Sequence, residues 1–385
     1  MSRDVVTCEE TPAPGARTEP GTIDRIRVSA YKVPTDEPEA DGTYAWSDTT
    51  MVVVEAEGCG RVGMGYSYAN AAAAMLVHGL ARHVLGTGVC SPGAAWISMR
   101  RAVRNDGRQG LASMAIAAVD CALWDLKARV LGISIADLLG VVRDRIAVYG
   151  SGGFTSYSEA QLRRQLAGWV EDGIGAVKMK IGSHPECDAK RVRAAREAIG
   201  EAPLFVDANG AYDRKQAVAK AGEFAGYGVV WFEEPVSADD LDGLRLVRDR
   251  APAGMEIATG EYGYETAYFR RMMEAQAVDV IQVDGTRCGG VTGFLRAAAE
   301  IDSFGLPLSA HTAPSLHGHL CCAVNRARNV EYFHDHVRIE SMLLDGALTA
   351  RGGVLRPDRS APGFGWSIKE QDAERFRVYR GEERA

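Results

Sequence analysis

Ala176-Val177-Lys178-Met179-Lys180-Ile181 is a short β-prone run with lysine at two alternate positions, and the amphipathic stretch Cys187–Ile199 follows it after a turn. The same unit repeats along the chain. Leu204–Asp207, Val229–Glu233, Glu256–Thr259, Val280–Val283, Leu306–Ala310 and Val330–Phe333 come later, while Ile146–Tyr149 and the helical stretch Glu159–Glu171 come before. These strand candidates recur every ~22–31 residues with helical segments in most of the gaps, as parallel strands joined by crossover helices do. Eight such units predict an α/β barrel closing over about 190 residues. An open doubly wound sheet is the competing arrangement; no G-x-G-x-x-G follows a strand, which counts against its dinucleotide-binding form.

Upstream of the barrel the pattern changes. Ile23–Tyr31 and Thr50–Glu57 read as β-branched strands, and the polar segment Pro34–Asp48 between them reads as a mobile loop, with Tyr44 and Trp46 placed to act as a lid. Ile116, Val119, Leu123, Leu126 and Val130 step by three and four, which predicts a helix over Ser113–Leu131 with Ser113 as N-cap and Gly132 as its stop. Residues 1–21, rich in proline and charge, read as a loose tail.

Composition narrows the class of function. The 385 residues are 46% hydrophobic and 25% charged, ordinary for a globular chain with a large core. A net charge of -7 offers no global field for nucleic acid or an anionic membrane, so a small-molecule partner is expected. The cysteines are scattered without a C-x-x-C pair, the N-terminus lacks an apolar signal region, and no run approaches about 18 apolar residues. A cytoplasmic protein with reduced thiols follows as the expectation.

The predicted strand ends carry the chemistry. Lys178 and Lys180 lie on strand two of the barrel, Asp207 ends strand three, Glu233 ends strand four, and Glu261 follows strand five. Asp284 ends strand six, His311 strand seven, and Glu331 lies in strand eight. In a barrel these positions converge at one mouth. Asp207, Glu233 and Glu261 could not all stay ionised together without a cation, and strands four and five hold no arginine nearby to pair with them; hard oxygen donors favour Mg2+. Lys178 and Lys180, at i and i+2, point the same way, and each is expected to lower the other's pKa toward that of a working base. Asp284 on the neighbouring strand can fix the tautomer of His311. His317, His319, His334 and His336 are read as helix, loop or supporting residues, since an H-x-H zinc site would need further ligands.

With these residues in view, the chain resembles the enolase superfamily, mandelate racemase subgroup. Val177-Lys178-Met179-Lys180 resembles the K-x-K of strand two, Asp207-Ala208-Asn209 the D-x-N of strand three, and Glu233-Glu234-Pro235 the E-E-P of strand four. Gly260-Glu261 fits the third metal ligand, Asp284 with Gly289-Gly290-Val291-Thr292 fits strand six, and Ser309-Ala310-His311 fits strand seven. The resemblance implies an N-terminal α+β capping domain over 22–142, a modified (β/α)7β TIM barrel over 143–345, and a segment 346–385 returning to the cap. It also implies Mg2+ on Asp207, Glu233 and Glu261, with abstraction of the proton α to a carboxylate. Lys180 would be the base on one face, and His311 with Asp284 the acid or base on the other. Lys178 and Glu331 would sit against the substrate carboxylate, Asn209 would contact substrate, and Tyr44 and Trp46 would reach it from the cap. Relatives of this kind are usually homo-oligomers.

The muconate cycloisomerase type is expected to carry a second lysine on strand six, and this chain has none between Lys220 and Lys369. The mandelate racemase type is selected instead. Family frequency then favours a sugar-acid dehydratase giving a 2-keto-3-deoxy acid; a racemase or epimerase of a 2-hydroxy acid or related carboxylate uses the same groups. A binding barrel without turnover is disfavoured by the complete set of acids and bases. A zinc hydrolase barrel is disfavoured by the absence of H-x-H from Ile146-Ala147-Val148-Tyr149.

Overall fold

The structure is a computed structural model that describes residues 21–385; the tail expected at the N-terminus therefore lies outside the described residues except for Gly21. Eight parallel strands form a closed barrel: β4 (Ile146–Gly152), β5 (Val177–Lys180), β6 (Leu204–Asp207), β7 (Val229–Glu233), β8 (Glu256–Thr259), β9 (Val280–Val283), β10 (Leu308–Ala310) and β11 (Ala327–Phe333). Closure comes from β11 pairing with β4, where Glu331 stands opposite Tyr149. This is the modified TIM barrel with an N-terminal β-rich domain.

Period-two alternation explains why the barrel interior has a greasy floor and an ionic top. Tyr149, Phe205 and Trp231 point inward and form a buried cluster with Ala258 and Val280. Phe205 stacks on Trp231 with ring centroids 4.9 Å apart. Two residues further along β6 and β7, the inward positions are Asp207 and Glu233. The outward residues between them, such as Met179, Val206 and Phe232, join the core beneath the helices. One sequence pattern thus builds both the apolar support and the polar layer above it.

An antiparallel sheet covers the mouth. It runs in the order Arg377–Arg384, β1 (Ile23–Ala40), β2 (Ala45–Gly58), β3 (Arg61–Tyr68). The segment Pro34–Asp48 is therefore not a loop. Pro34 pairs with Asp48, Glu39 with Trp46 and Ala40 with Ala45, with an irregularity between Pro34 and Glu39. The polar residues misled because a protruding two-stranded ribbon has no apolar face along most of its length, so the alternation that marks a strand is missing.

The helix Leu111–Leu131 packs against β3 so closely that a Cβ at Gly63 would overlap backbone atoms of Ala122 and Leu126, and one at Gly65 those of Ala118 and Ala122. Gly132, with φ +71°, closes this helix in the left-handed conformation as expected. Its start differs from expectation: the N-cap position is Gly110, and Ser113 lies inside the first turn, where its hydroxyl donates to the Tyr264 carbonyl at 3.1 Å. Asp120 on this helix accepts from the Thr292 N–H at 2.8 Å and its hydroxyl at 2.7 Å, joining the helix to the barrel. No disulfide forms among the described residues, and none of their helices is long and apolar enough to cross a membrane.

Candidate active site

The strand ends converge as the sequence pattern requires. Carboxylate oxygens of Asp207, Glu233 and Glu261 lie within 4.8 Å of one another, and all three residues are buried. Burial and the charge of Asp207 push the Glu233 carboxyl up to about 8. A hard, oxygen-only donor set in which one member resists ionisation fits Mg2+, whose charge would relieve that repulsion.

Lys178 and Lys180 face this cluster from β5. Lys178 Nζ lies 2.5 Å from Glu233 Oε1, 2.8 Å from Glu331 Oε1 and 3.3 Å from Asp207 Oδ2. Lys180 Nζ donates to Asp207 Oδ2. The expectation that the pair would lower each other's pKa is corrected here. Burial lowers both and Lys178 lowers Lys180, but the facing carboxylates outweigh these effects. Glu233 and Glu331 hold Lys178 well above the ordinary lysine value, and Asp207 holds Lys180 above it. Lys178 also sits 5.6 Å over the Tyr149 ring, on the aromatic floor.

His311 approaches from the other side. Its Nδ1 is 2.8 Å from Asp284 Oδ2, and its Nε2 is 3.2 Å from Glu261 Oε2. Burial opposes the charged imidazole, yet Glu261 and Asp284 raise its pKa to about 10. Glu331 is drawn down to about 2 against its burial, first by Lys178 and then by His311.

A cavity of about 650 Å3 opens between the barrel mouth and the hairpin β1–β2. Lys180, Asn209, Glu261, Asp284, His311 and Glu331 line it from below, and Tyr44 and Trp46 line it from the hairpin. Tyr44 is a rim residue, 69% exposed, whose ring stacks on Trp46. Lys178, Asp207 and Glu233 do not line the cavity; they form the layer behind it. Asn209 faces it with Oδ1 buried and unpartnered. The backbone is strained at the same places. Asn209, Glu234, Thr312 and Ala313 all have φ between +38° and +50°, each within two residues of Asp207, Glu233 or His311.

Three features escaped the sequence reading. Arg287 bonds Glu261 Oε1 at 3.2 Å and lies 3.5 Å from Asp284 Oδ2, so an arginine does pair with the third carboxylate, reached from the turn after β9. Its position three residues past Asp284 was the available signal. His336, on the helix His334–Leu343, accepts from the Ala313 N–H at 3.2 Å and stacks on Tyr68 as a supporting residue does, and it also lines the cavity. Glu234 is buried, accepts the Thr259 hydroxyl at 2.7 Å, and is pushed well above the usual carboxylate range by burial and by Glu261. His317, by contrast, braces the site: its Nε2 accepts from the Gly285 N–H at 2.8 Å and its Nδ1 donates to the Thr312 carbonyl at 2.7 Å.

Comparison with known proteins identifies the family. Residues 161–373 match the enolase C-terminal domain-like family, and residues 25–140 match the mandelate racemase / muconate lactonizing enzyme N-terminal domain. The chain belongs to the enolase superfamily. Within it, the chain is 31% identical to an L-talarate/galactarate dehydratase of Salmonella typhimurium, covering 93% of each chain. It superimposes with a TM-score of 0.91 on a mandelate racemase/muconate lactonizing enzyme-like protein from Rubrobacter xylanophilus, at 50% identity over 93% of this chain and 100% of that one. An L-talarate dehydratase from a Polaromonas species, solved with Mg and L-glucarate, gives a TM-score of 0.86 at 31% identity over 95% of this chain and 100% of its own.

Proposed function

We propose that this superfamily member is a Mg2+-dependent dehydratase of a sugar acid, removing the proton α to the carboxylate and expelling the β-hydroxyl to give a 2-keto-3-deoxy acid. The observation that carries this reading is the lining of one cavity. Lys180 and His311 flank the carboxylate cluster, touching Asp207 and Glu261 respectively, while Asp41, Ser47, Thr49, Thr50 and Asn70 line the distal part. These polar side chains, half-buried or exposed at the cavity wall, offer hydrogen bonds that suit a polyhydroxy chain. The dehydratase relatives and the L-glucarate complex support the same substrate class.

The proton α to a carboxylate is very weakly acidic, so charge must be supplied where the enediolate develops. Mg2+ held by Asp207, Glu233 and Glu261 would supply that charge, and would compete with Lys180 for the Asp207 carboxylate that holds its proton. Lys180 Nζ faces the cavity as the base for the α-proton. His311, its Nδ1 held by Asp284 at 2.8 Å, stands on the other side, placed to give a proton to the departing hydroxyl. Lys178 holds the Glu331 carboxylate in place from behind, and Asn209 Oδ1 is free to accept a substrate hydroxyl.

The same two-sided arrangement supports a second reading, an epimerase in which His311 returns its proton to the α-carbon. Incubating the protein with Mg2+ and a panel of aldonates and aldarates separates the two. A 2-keto acid from at least one of them is the expected outcome. If no panel member yields one, dehydration is overturned, and deuterium at the α-carbon of recovered substrate in heavy water then assigns epimerisation.

A further inference from the structure

Outside the catalytic cluster, the irregular part of β1 meets the residues that follow β11. His334 Nε2 lies 3.1 Å from both carboxylate oxygens of Asp36. Ligand-type atoms of Asp36, Glu39 and His334 fall within 4.8 Å of one another. An independent observation comes from Glu39. It is 1% exposed, its Oε2 accepts the Trp46 indole N–H at 2.7 Å, and its Oε1 is buried without any hydrogen-bond partner.

The surroundings deepen the imbalance. Asp335 is fully buried with Oδ2 unpartnered, and Arg338 is its charged neighbour, bonded to Asp335 Oδ1 and at 2.7 Å to the Pro34 carbonyl. Three carboxylates therefore face one guanidinium and one imidazole. Buried carboxylate oxygens are nearly always satisfied, and a cation is the partner that would satisfy this one. Asp36 and His334 remain partly open to solvent, which gives an ion a way in.

We propose that Asp36, Glu39 and His334 form a second metal site, for a divalent transition-metal ion, that fastens the hairpin β1–β2 to the end of the last barrel strand. One imidazole nitrogen with carboxylate oxygens suits zinc or manganese better than magnesium. Through Glu39, the ion would fix Trp46, which lines the substrate cavity and packs edge-on against Phe154. The competing account leaves the site empty: burial and the charge of Asp335 push Glu39 up to about 8, so at neutral pH it holds a proton instead of an ion.

Mn2+, which thiols bind poorly, distinguishes these accounts. The full chain is stripped with chelator and titrated with Mn2+, following loss of the free-ion EPR signal. About two equivalents are expected for the native chain, and about one each for His334→Gln and for Glu233→Gln. Should His334→Gln fold poorly, Asp36→Asn at the exposed ligand replaces it. In Glu233→Gln, Mn2+ should still raise the melting temperature, and adding His334→Gln should remove that rise. A native chain that binds only one equivalent overturns the proposal, as does a His334→Gln chain that still binds two.

Discussion

His311 Nδ1 and Asp284 Oδ2 are 2.8 Å apart, and both side chains are buried. The carboxylate keeps the proton on Nδ1 when the ring is neutral and stabilises the charged ring when it is not. His311→Asn should abolish turnover with the circular dichroism spectrum unchanged. Asp284→Asn should retain the fold and lower kcat by about 10²–10⁴-fold, because the amide no longer selects the tautomer. Native turnover in His311→Asn would remove this histidine from the mechanism.

Lys178 and Lys180 should fail in different ways. Lys180 lines the cavity and Lys178 lies behind it, bonded to Glu233 and Glu331. Lys180→Ala should lose exchange of the α-proton with deuterated solvent and lose less stability than Lys178→Met, because Asp207 keeps Lys178 as a partner at 3.3 Å. Lys178→Met leaves buried carboxylates without their cation and should cost about 3–5 kcal/mol of stability, the usual penalty for removing one partner of a buried ion pair. Equal unfolding midpoints for the two variants would contradict the layered arrangement.

What the sequence revealed follows from which signals are local. Lys178 and Lys180 stood out because the chain has eight lysines among 44 basic residues, and alternate spacing on a strand aims both the same way. Asp207, Glu233 and His311 were legible because a parallel barrel brings strand ends together whatever the helices between them do. Arg287 was hidden among 36 arginines, since only the tertiary turn after β9 brings it to Glu261. The hairpin Pro34–Asp48 was misread because its pairing is not written as alternation. The direction of the Lys180 shift was out of reach for a similar reason: it depends on Asp207, on another strand, outweighing Lys178 at close range.

Removing the metal should act on chemistry more than on fold. Chelation should abolish formation of product, and Mg2+ should restore it, because the divalent charge that would stabilise the enediolate leaves with the ion. Glu233→Gln should lose this rescue at Mg2+ concentrations that saturate the native chain. Full activity in a chelated, metal-free preparation, checked by elemental analysis, would refute the assignment of Asp207, Glu233 and Glu261 as ligands.

Asp120 makes stability depend on pH at a place remote from the carboxylate cluster. Burial raises its carboxyl from 3.8 to about 7, against the lowering effect of its bonds from Thr292. The folded chain therefore holds a proton there that the unfolded chain releases above about pH 4. With the folded pKa raised, the stabilising contribution is fully present below pH 4 and is lost as pH climbs to about 7, after which it stays level. Between pH 5 and 8 the loss from this one group should be about 2–3 kcal/mol, taking 1.36 kcal/mol per unit. Asp120→Asn has no proton to lose, so in urea unfolding its stability relative to the native chain should improve by that amount over the same interval. A difference between the two proteins that is the same at pH 5 and pH 8 would show that Asp120 is ionised in the folded state throughout.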